Sequence, residues 1–249
     1  MFQCAVSQGT GLSLPLPSLD LAKLNQQFAT AHPKSILLWC LETVPCGLVQ
    51  SSAFGASGMV TLDLLYRDLA SQPPVPVVFV DTLHHFPESL AHVKAVQAKY
   101  QVDLKIYSPW GCDSCEGFAA KYGHRLWERD LDQFQGLTKV EPFQRALREL
   151  GVQTWLTGRR RDQAQQRSQL PIFERDAQGR LKVNPLANWT HQTLWKYIIE
   201  NQVPYNPLYD QGYASIGDEP LTTTIRPGET ERSGRWRGTG RTECGIHTA

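Results

Sequence analysis

Near its carboxyl end the chain reads Arg241-Thr242-Glu243-Cys244-Gly245-Ile246-His247, a single cysteine between charged groups, with a glycine beside it and an imidazole three residues on. A thiol reacts as its thiolate, a form that neighbouring positive charge favours. Arg241 and His247 are close enough in sequence to supply that charge. Gly245 has no side chain to hinder a substrate or a partner. Cys244 is therefore the candidate nucleophile, and the competing reading of the spacing alone is a loose terminus with an incidental cysteine.

Three further stretches carry polar chemistry. Ser51-Ser52-Ala53-Phe54-Gly55-Ala56-Ser57-Gly58 offers small residues and exposed backbone N–H groups that suit a phosphate, or else forms a plain strand-to-helix turn. It lacks the lysine of a Walker loop. Asp81-Thr82-Leu83-His84-His85-Phe86-Pro87-Glu88 is a polar exit able to hold a base and a ribose. Its adjacent histidines point to opposite sides of an extended chain and make a poor metal pair. Gly158-Arg159-Arg160-Arg161-Asp162-Gln163, with Arg167 beyond it, is a dense arginine cluster. Guanidinium forks grip phosphate or sulfate oxygens bidentately, and the alternative is a solvated basic loop.

The elements that must position these groups follow from periodicity. A helix marked by Leu21, Leu24 and Phe28 is expected after Ser18 as its cap, ending at His32-Pro33, with another over residues 35–43. After the Pro45-Cys46-Gly47 break, residues 48–51 form a compact apolar run that reads as a buried strand. Helical spacing from Met59 leads through a proline-rich segment to the apolar strand 77–80. The cycle repeats as a helix from Pro87 and a strand over 104–107, then as a helix carrying Phe143, Leu147 and Leu150 and a strand over 154–157. Strands alternating with helices predict an α/β fold, a mostly parallel sheet with helices on both faces. Residues 173–183 read as a hairpin and a helix follows from Thr190; beyond Asn201 no regular element is expected. In such sheets ligands bind past the carboxyl ends of the strands, where all three polar stretches lie.

The 249 residues suffice for one large domain, or one domain with a small appendage, since a domain usually takes about 100 to 200 residues. A formal net charge of +1 gives no polyelectrolyte character that would call for nucleic acid as partner. No apolar run approaches the roughly 20 residues needed to span a bilayer and no leader pattern opens the chain, so a cytoplasmic location is expected. Six cysteines are too sparse for a disulfide scaffold. Cys112 and Cys115 have the spacing of a redox or zinc half-site but no second half. Cys40 and Cys46 flank the first strand as core or near-core residues, and Cys4 lies in a lead-in over 1–18. No metal site is expected.

Taken in order, Ser51-Ser52-Ala53-Phe54-Gly55, Asp81-Thr82 with Phe86-Pro87-Glu88, Lys139-Val140-Glu141-Pro142, Thr157-Gly158-Arg159-Arg160-Arg161-Asp162-Gln163 with Arg167, and Glu243-Cys244-Gly245-Ile246-His247 resemble an assimilatory sulfonucleotide reductase. The resemblance implies an adenine nucleotide α-hydrolase-like fold. It implies a sulfonucleotide-binding α/β domain over residues 19–230 and a catalytic tail over 231–249, whose glycines and lack of regular elements predict mobility, while the Gly-, Ser- and Pro-rich residues 1–18 read as a flexible lead-in. Iron–sulfur members of that family carry a Cys-Cys pair before the Lys-Val-Glu-Pro stretch and a later Cys-x-x-Cys; here those positions read Phe134-Gln135 and Asp218-Glu219-Pro220-Leu221. With all four thiolates replaced, no bound cluster is expected. The pattern resembles the cluster-free branch, which reduces 3′-phosphoadenylyl sulfate with thioredoxin.

The resemblance further implies attack of Cys244 on the substrate sulfur to give an S-sulfocysteine, with sulfite and adenosine 3′,5′-bisphosphate as products and a homodimer as the assembly. Ser51, Ser52, Phe54, Gly55, Asp81, Thr82, Lys139, Gly158, Arg159, Arg160, Arg161, Gln163, Arg167, Arg241 and His247 are the expected substrate contacts. Lys139, the arginine cluster, Arg241 and His247 are the candidates to neutralise the sulfonate oxygens. A cluster-free adenylyl-sulfate reductase is the nearest alternative. An ATP-pyrophosphatase-type adenylyl transferase is disfavoured by Ser-Ser-Ala-Phe-Gly where a Ser-Gly-Gly-x-Asp-Ser loop would stand, and a non-catalytic nucleotide sensor with Cys244 as a redox switch is a further one.

Overall fold

Six short segments of three or four residues become the strands of one sheet in the computed structural model, which describes residues 18–44 and 46–247. Apart from Ser18, the expected lead-in, with Cys4, lies outside the described residues, as does Pro45. The strands are β1 Leu48–Ser51, β2 Val77–Val80, β3 Leu104–Tyr107, β4 Thr154–Leu156, β5 Phe173–Arg175 and β6 Leu181–Val183, in the order β3-β2-β1-β4-β6-β5. All neighbours are parallel except β5 and β6, which form the expected antiparallel hairpin.

Alternation along the strands sends successive side chains to opposite faces. Val77 and Phe79 of β2 join one large apolar cluster with Met59, Leu62, Val93, Val96, Leu194 and Ile198. The last six come from the third helix in chain order, α3 Ala56–Asp63, and from the helices Pro87–Tyr100 and His191–Glu200. Between them, Val78, Val49 and Trp155 face the other way and pack on Phe143, Ala146 and Leu147 of a helix over Glu141–Glu149. Asp63, buried in α3, ties the first face together: Arg67 Nε, Tyr100 Oη and Tyr197 Oη donate to it at 2.9, 2.8 and 2.8 Å.

From β1 the chain moves outward to β2 and β3, then returns to lay β4 on the other flank of β1. The loops after β1 and β4 therefore diverge to opposite sides, and the crevice they leave is where ligands bind in sheets of this kind.

Several local expectations shift. The first helix is Leu21–Gln27, and its cap is Asp20, whose Oδ1 accepts from Lys23 N at 3.0 Å, not Ser18. The second begins at Pro33, where a missing N–H costs nothing in the first turn. The glycine- and serine-rich stretch is itself helical from Ala56 rather than from Met59. Residues 108–140 form short helices, Cys115–Tyr122, Leu126–Arg129 and Leu131–Gln135. Ser114 and Asp130 cap two of them with side-chain oxygens. Beyond Asn201 two 3₁₀ turns, Pro207–Gln211 and Glu219–Leu221, interrupt the irregular chain. Among the described residues no helix is long and apolar enough to cross a membrane.

Candidate active site

Over the carboxyl ends of β1, β2 and β4 lies a cavity of about 230 Å³. Its floor is built where two loops touch. A Cβ on Gly58 would collide with Ser52 Oγ, and one on Gly158 would stand 3.0 Å from Gly58 N and 3.1 Å from Ser57 Cβ. Glycine at both positions lets the loop after β4 lie against the first turn of α3. Ala56 N donates to Tyr209 Oη at 3.0 Å, so the C-terminal segment holds the mouth of that turn. Gly158→Ala is accordingly expected to push the loops apart by a few tenths of an ångström and to raise KM by about threefold or more, because a positioning element tolerates little misplacement. Steady-state kinetics beside a thermal unfolding curve checks this, and an unchanged KM would sink it.

Within the cavity each cation is held by a neighbour. Arg159 Nε donates to Asn184 Oδ1 at 3.1 Å and its far end pairs with Glu174. Arg167 forms a two-pronged pair with Glu243 of the tail, Nε and Nη2 at 2.6 and 2.7 Å from its two oxygens, and also donates to Gln163. Lys139 pairs with Asp218, whose other oxygen accepts from Thr82 Oγ1 at 2.7 Å. Burial by itself would raise the Asp218 carboxyl, but Lys139, His85 and Arg235 together hold it well below the usual carboxylate range.

Arg232 and Arg235 complete the wall. Each has a buried Nε without a hydrogen-bond partner. Burial, and then the like charges of Arg167 and Arg235, push the Arg232 guanidinium down to about 10. A crowd of arginines with unused donors suits an anion, because an anion would relieve both the repulsion and the missing hydrogen bonds.

Cys244 stands in the wall of this cavity, half-buried, packed against the apolar cluster of Phe134, Leu221 and Trp236 and within electrostatic reach of Arg232 and Arg235. Those two arginines supply the positive charge around the thiol that the sequence suggested for Arg241 and His247. His247 lines the cavity, but burial and then Arg159, Lys182, Arg167 and Arg232 hold its imidazole well below its ordinary range, so it is neutral. Arg241 pairs with Asp132 on the outer side, away from the cavity.

A family model described as the phosphoadenosine phosphosulfate reductase domain matches residues 47–224. The chain belongs to the phosphoadenosine phosphosulfate reductase family. It is 46% identical over 226 residues to the phosphoadenosine phosphosulfate reductase of Emericella nidulans, covering 90% of this chain and 74% of that one. The Saccharomyces cerevisiae reductase is 47% identical, over 87% of this chain and 85% of its own length. Among solved structures, the phosphoadenylyl-sulfate reductase of Candida auris, a phosphate complex, superposes with a TM-score of 0.76 at 44% identity, covering 86% of this chain and all of that one. The FMN adenylyltransferase of Candida glabrata shares the fold, with a TM-score of 0.58 at 18% identity over 90% of this chain and 77% of that one. That likeness is of fold alone. The mostly parallel α/β sheet expected from the strand alternation, and the adenine nucleotide α-hydrolase-like architecture implied by the resemblance, are the ones found.

For this family member the cavity gathers Ser51, Ser52, Gly55, Thr82, Lys139, Gly158, Arg159, Gln163, Arg167, His247 and Cys244 from the expected set. Five others stand outside it. Phe54 is buried behind the first loop against Phe79, with φ +55°. Asp81 Oδ1 accepts from Leu83 N at 2.9 Å, shaping the second loop. Arg160 is fully buried beneath the floor, donating to Ser57 Oγ at 2.7 Å and pairing with Asp162 and Glu231. Arg161 turns to Leu170 O and Asn188, and Arg241 is the fifth.

His85, Asp218, Arg232, Arg235, Trp195 and Tyr209 also line the cavity and were not singled out as substrate contacts by the sequence. The density of arginine over residues 226–237 was the available signal for two of them. Phe134 and Leu221, at positions where cluster-bearing relatives need thiolates, are packed in the apolar cluster and offer no sulfur ligand. Cys115 begins its helix exposed, and desolvation, with Glu116 and Glu219, raises its thiol. Among the described residues no group of three or more His, Cys, Asp or Glu is arranged to hold a metal ion.

Proposed function

We propose that this chain reduces 3′-phosphoadenylyl sulfate to sulfite and adenosine 3′,5′-bisphosphate, with a thioredoxin-type dithiol as reductant and an S-sulfocysteine on Cys244 as intermediate. The observation that carries the reading is the placement of Cys244 in the wall of the cavity that also holds Arg159, Arg167, Arg232 and Arg235. A thiolate must approach an anionic sulfonate, and only preorganised cations in a sheltered site offset that repulsion.

Cys244 Sγ attacks the sulfonate sulfur, an S–S bond forms, and the bond from sulfur to the 5′-phosphate oxygen breaks, releasing the nucleotide bisphosphate. One thiolate of the dithiol then attacks Cys244 Sγ and expels sulfite. The second thiol resolves the mixed disulfide, so both electrons come from the dithiol. Arg232 and Arg235, with their unused donors, are assigned to the sulfonate and adjoining phosphate oxygens. The first turn of α3, with Ser52 and Gly55, is assigned to the remaining phosphate.

Sulfite release from 3′-phosphoadenylyl sulfate and from adenylyl sulfate, compared with reduced thioredoxin, tests the reading. Preference for the first supports it. Preference for the second keeps the mechanism and transfers the protein to the adenylyl-sulfate specificity, and release from neither overturns both.

A further inference from the structure

We propose that Trp155 and Lys182 form a seat for His247 that holds Cys244 in the cavity during the first half-reaction; this rests on the function proposed above. The two residues are direct register partners on the parallel strands β4 and β6, and both are 1% exposed. Their side chains share one face of the sheet, as cross-strand partners must. Lys182 Nζ lies 4.9 Å from the centroid of the Trp155 ring.

Residues 246 and 247 of the tail pack on this pair. The His247 ring stacks on Trp155 with planes 2° apart and centroids at 5.7 Å, and Lys182 Nζ donates to the His247 carbonyl at 3.1 Å. Ile246 packs on the same apolar cluster. Three residues of extended chain span at most about 10 Å, so a seated His247 confines the Cys244 sulfur to the cavity.

Lys182 is a costly residue for that place. Its ammonium is buried between strands, with Glu174 at 3.8 Å as its salt-bridge partner. Desolvation, then Arg159, bring it down to about 8, against the opposing pull of Glu174 and Asp176. An apolar side chain of that length would pack there with less penalty. Its hydrogen bond to the tail is what such a chain would not supply.

A second anchor lies on the other side of the cysteine, where Glu243 pairs with Arg167 and Arg232. That contact uses cavity arginines, so an anionic substrate competes with it. The aromatic seat makes no use of them. Trp155 and Lys182 do not line the cavity, and the seat can therefore stay closed when substrate displaces Glu243. Both are positioning residues.

His247→Ala and His247→Phe separate the ring stack from the rest of the fold, because the substitution lies in the tail and removes no core residue. Three rates are read: the burst of adenosine 3′,5′-bisphosphate without reductant, sulfite release from preformed S-sulfocysteine enzyme by reduced thioredoxin, and alkylation of Cys244 by iodoacetamide without substrate. His247→Ala is expected to slow the burst about tenfold or more, leave thioredoxin-driven release within about twofold, and speed alkylation several-fold. His247→Phe, which keeps the stack, should restore the protection of Cys244 from alkylation in the absence of substrate.

Lys182→Met is expected to slow the burst in the same way while its thermal midpoint stays level or rises, whereas a purely structural lysine would lower both. A burst and an alkylation rate for His247→Ala within about twofold of the unaltered protein would overturn the seat. If the unaltered protein gives no burst at all, the proposed reaction fails, while the alkylation rates still judge the seat.

Discussion

Cys244→Ser is expected to remove the burst of nucleotide bisphosphate and to lower sulfite release by about 10³-fold or more, the scale lost when a covalent nucleophile is deleted. Serine is nearly isosteric at this half-buried position, so packing against the apolar cluster persists in large part. The anion site is untouched, because its cations belong to Arg159, Arg167, Arg232 and Arg235. Nucleotide affinity by calorimetry should therefore stay within a few-fold of the unaltered protein, which separates loss of chemistry from loss of binding. Sulfite release above about one per cent of normal would move the nucleophile to another thiol, Cys112 or Cys115 first.

The second large effect is one of stability. Asp218 is fully buried, pairs with Lys139 and accepts from Thr82 Oγ1. Asp218→Ala would leave the buried Lys139 ammonium without its counter-ion, and breaking a buried pair on one side costs about 3–5 kcal/mol. Denaturant unfolding reads that loss directly. The double replacement Lys139→Met with Asp218→Leu removes both charges and should recover most of the stability, while catalysis should not return if Lys139 acts on the substrate. A single Asp218→Ala variant within about 1 kcal/mol of normal would mean that the pair is not buried as described.

The same group gives a pH dependence. The Asp218 carboxyl is held below its unfolded value, so the native state binds fewer protons than the unfolded chain in acid. The resulting stability is fully present above about pH 4, the unfolded carboxylate range, and is lost as pH falls through the lower folded value. Asp218→Asn should flatten that acid limb of a stability curve measured between about pH 2 and 5.

The sequence by itself determined the local features. Short apolar runs between proline- and glycine-rich turns marked β1 through β4 in place, and the hairpin of β5 and β6, because a strand is short enough to be read from its own residues and the turns that bound it. The Glu243-Cys244-Gly245-Ile246-His247 motif marked the candidate nucleophile, and the small-residue stretches after β1 and β4 marked the two loops that meet at the floor of the cavity. The short helices over residues 115–135 were not legible, since four to eight residues give too little periodicity to identify.

Tertiary structure decided which charges serve the cavity. Arg159 and Arg160 are neighbours in a run of three, yet Arg160 has extended backbone angles of −129° and 153° and its side chain leaves by the opposite face, under the floor. Successive residues of an extended chain diverge in this way, so a run of like charges cannot all point into one site. Arg232 and Arg235 come from an irregular segment about seventy residues later and meet Arg167 only after the chain has folded back over the sheet. His247 carries an ionisable ring in the sequence and a neutral one in the fold, because burial among Arg159, Lys182 and Arg167 disfavours its proton. Residue type and spacing chose the chemistry; long-range packing and the electrostatics of burial chose the side chains that surround it.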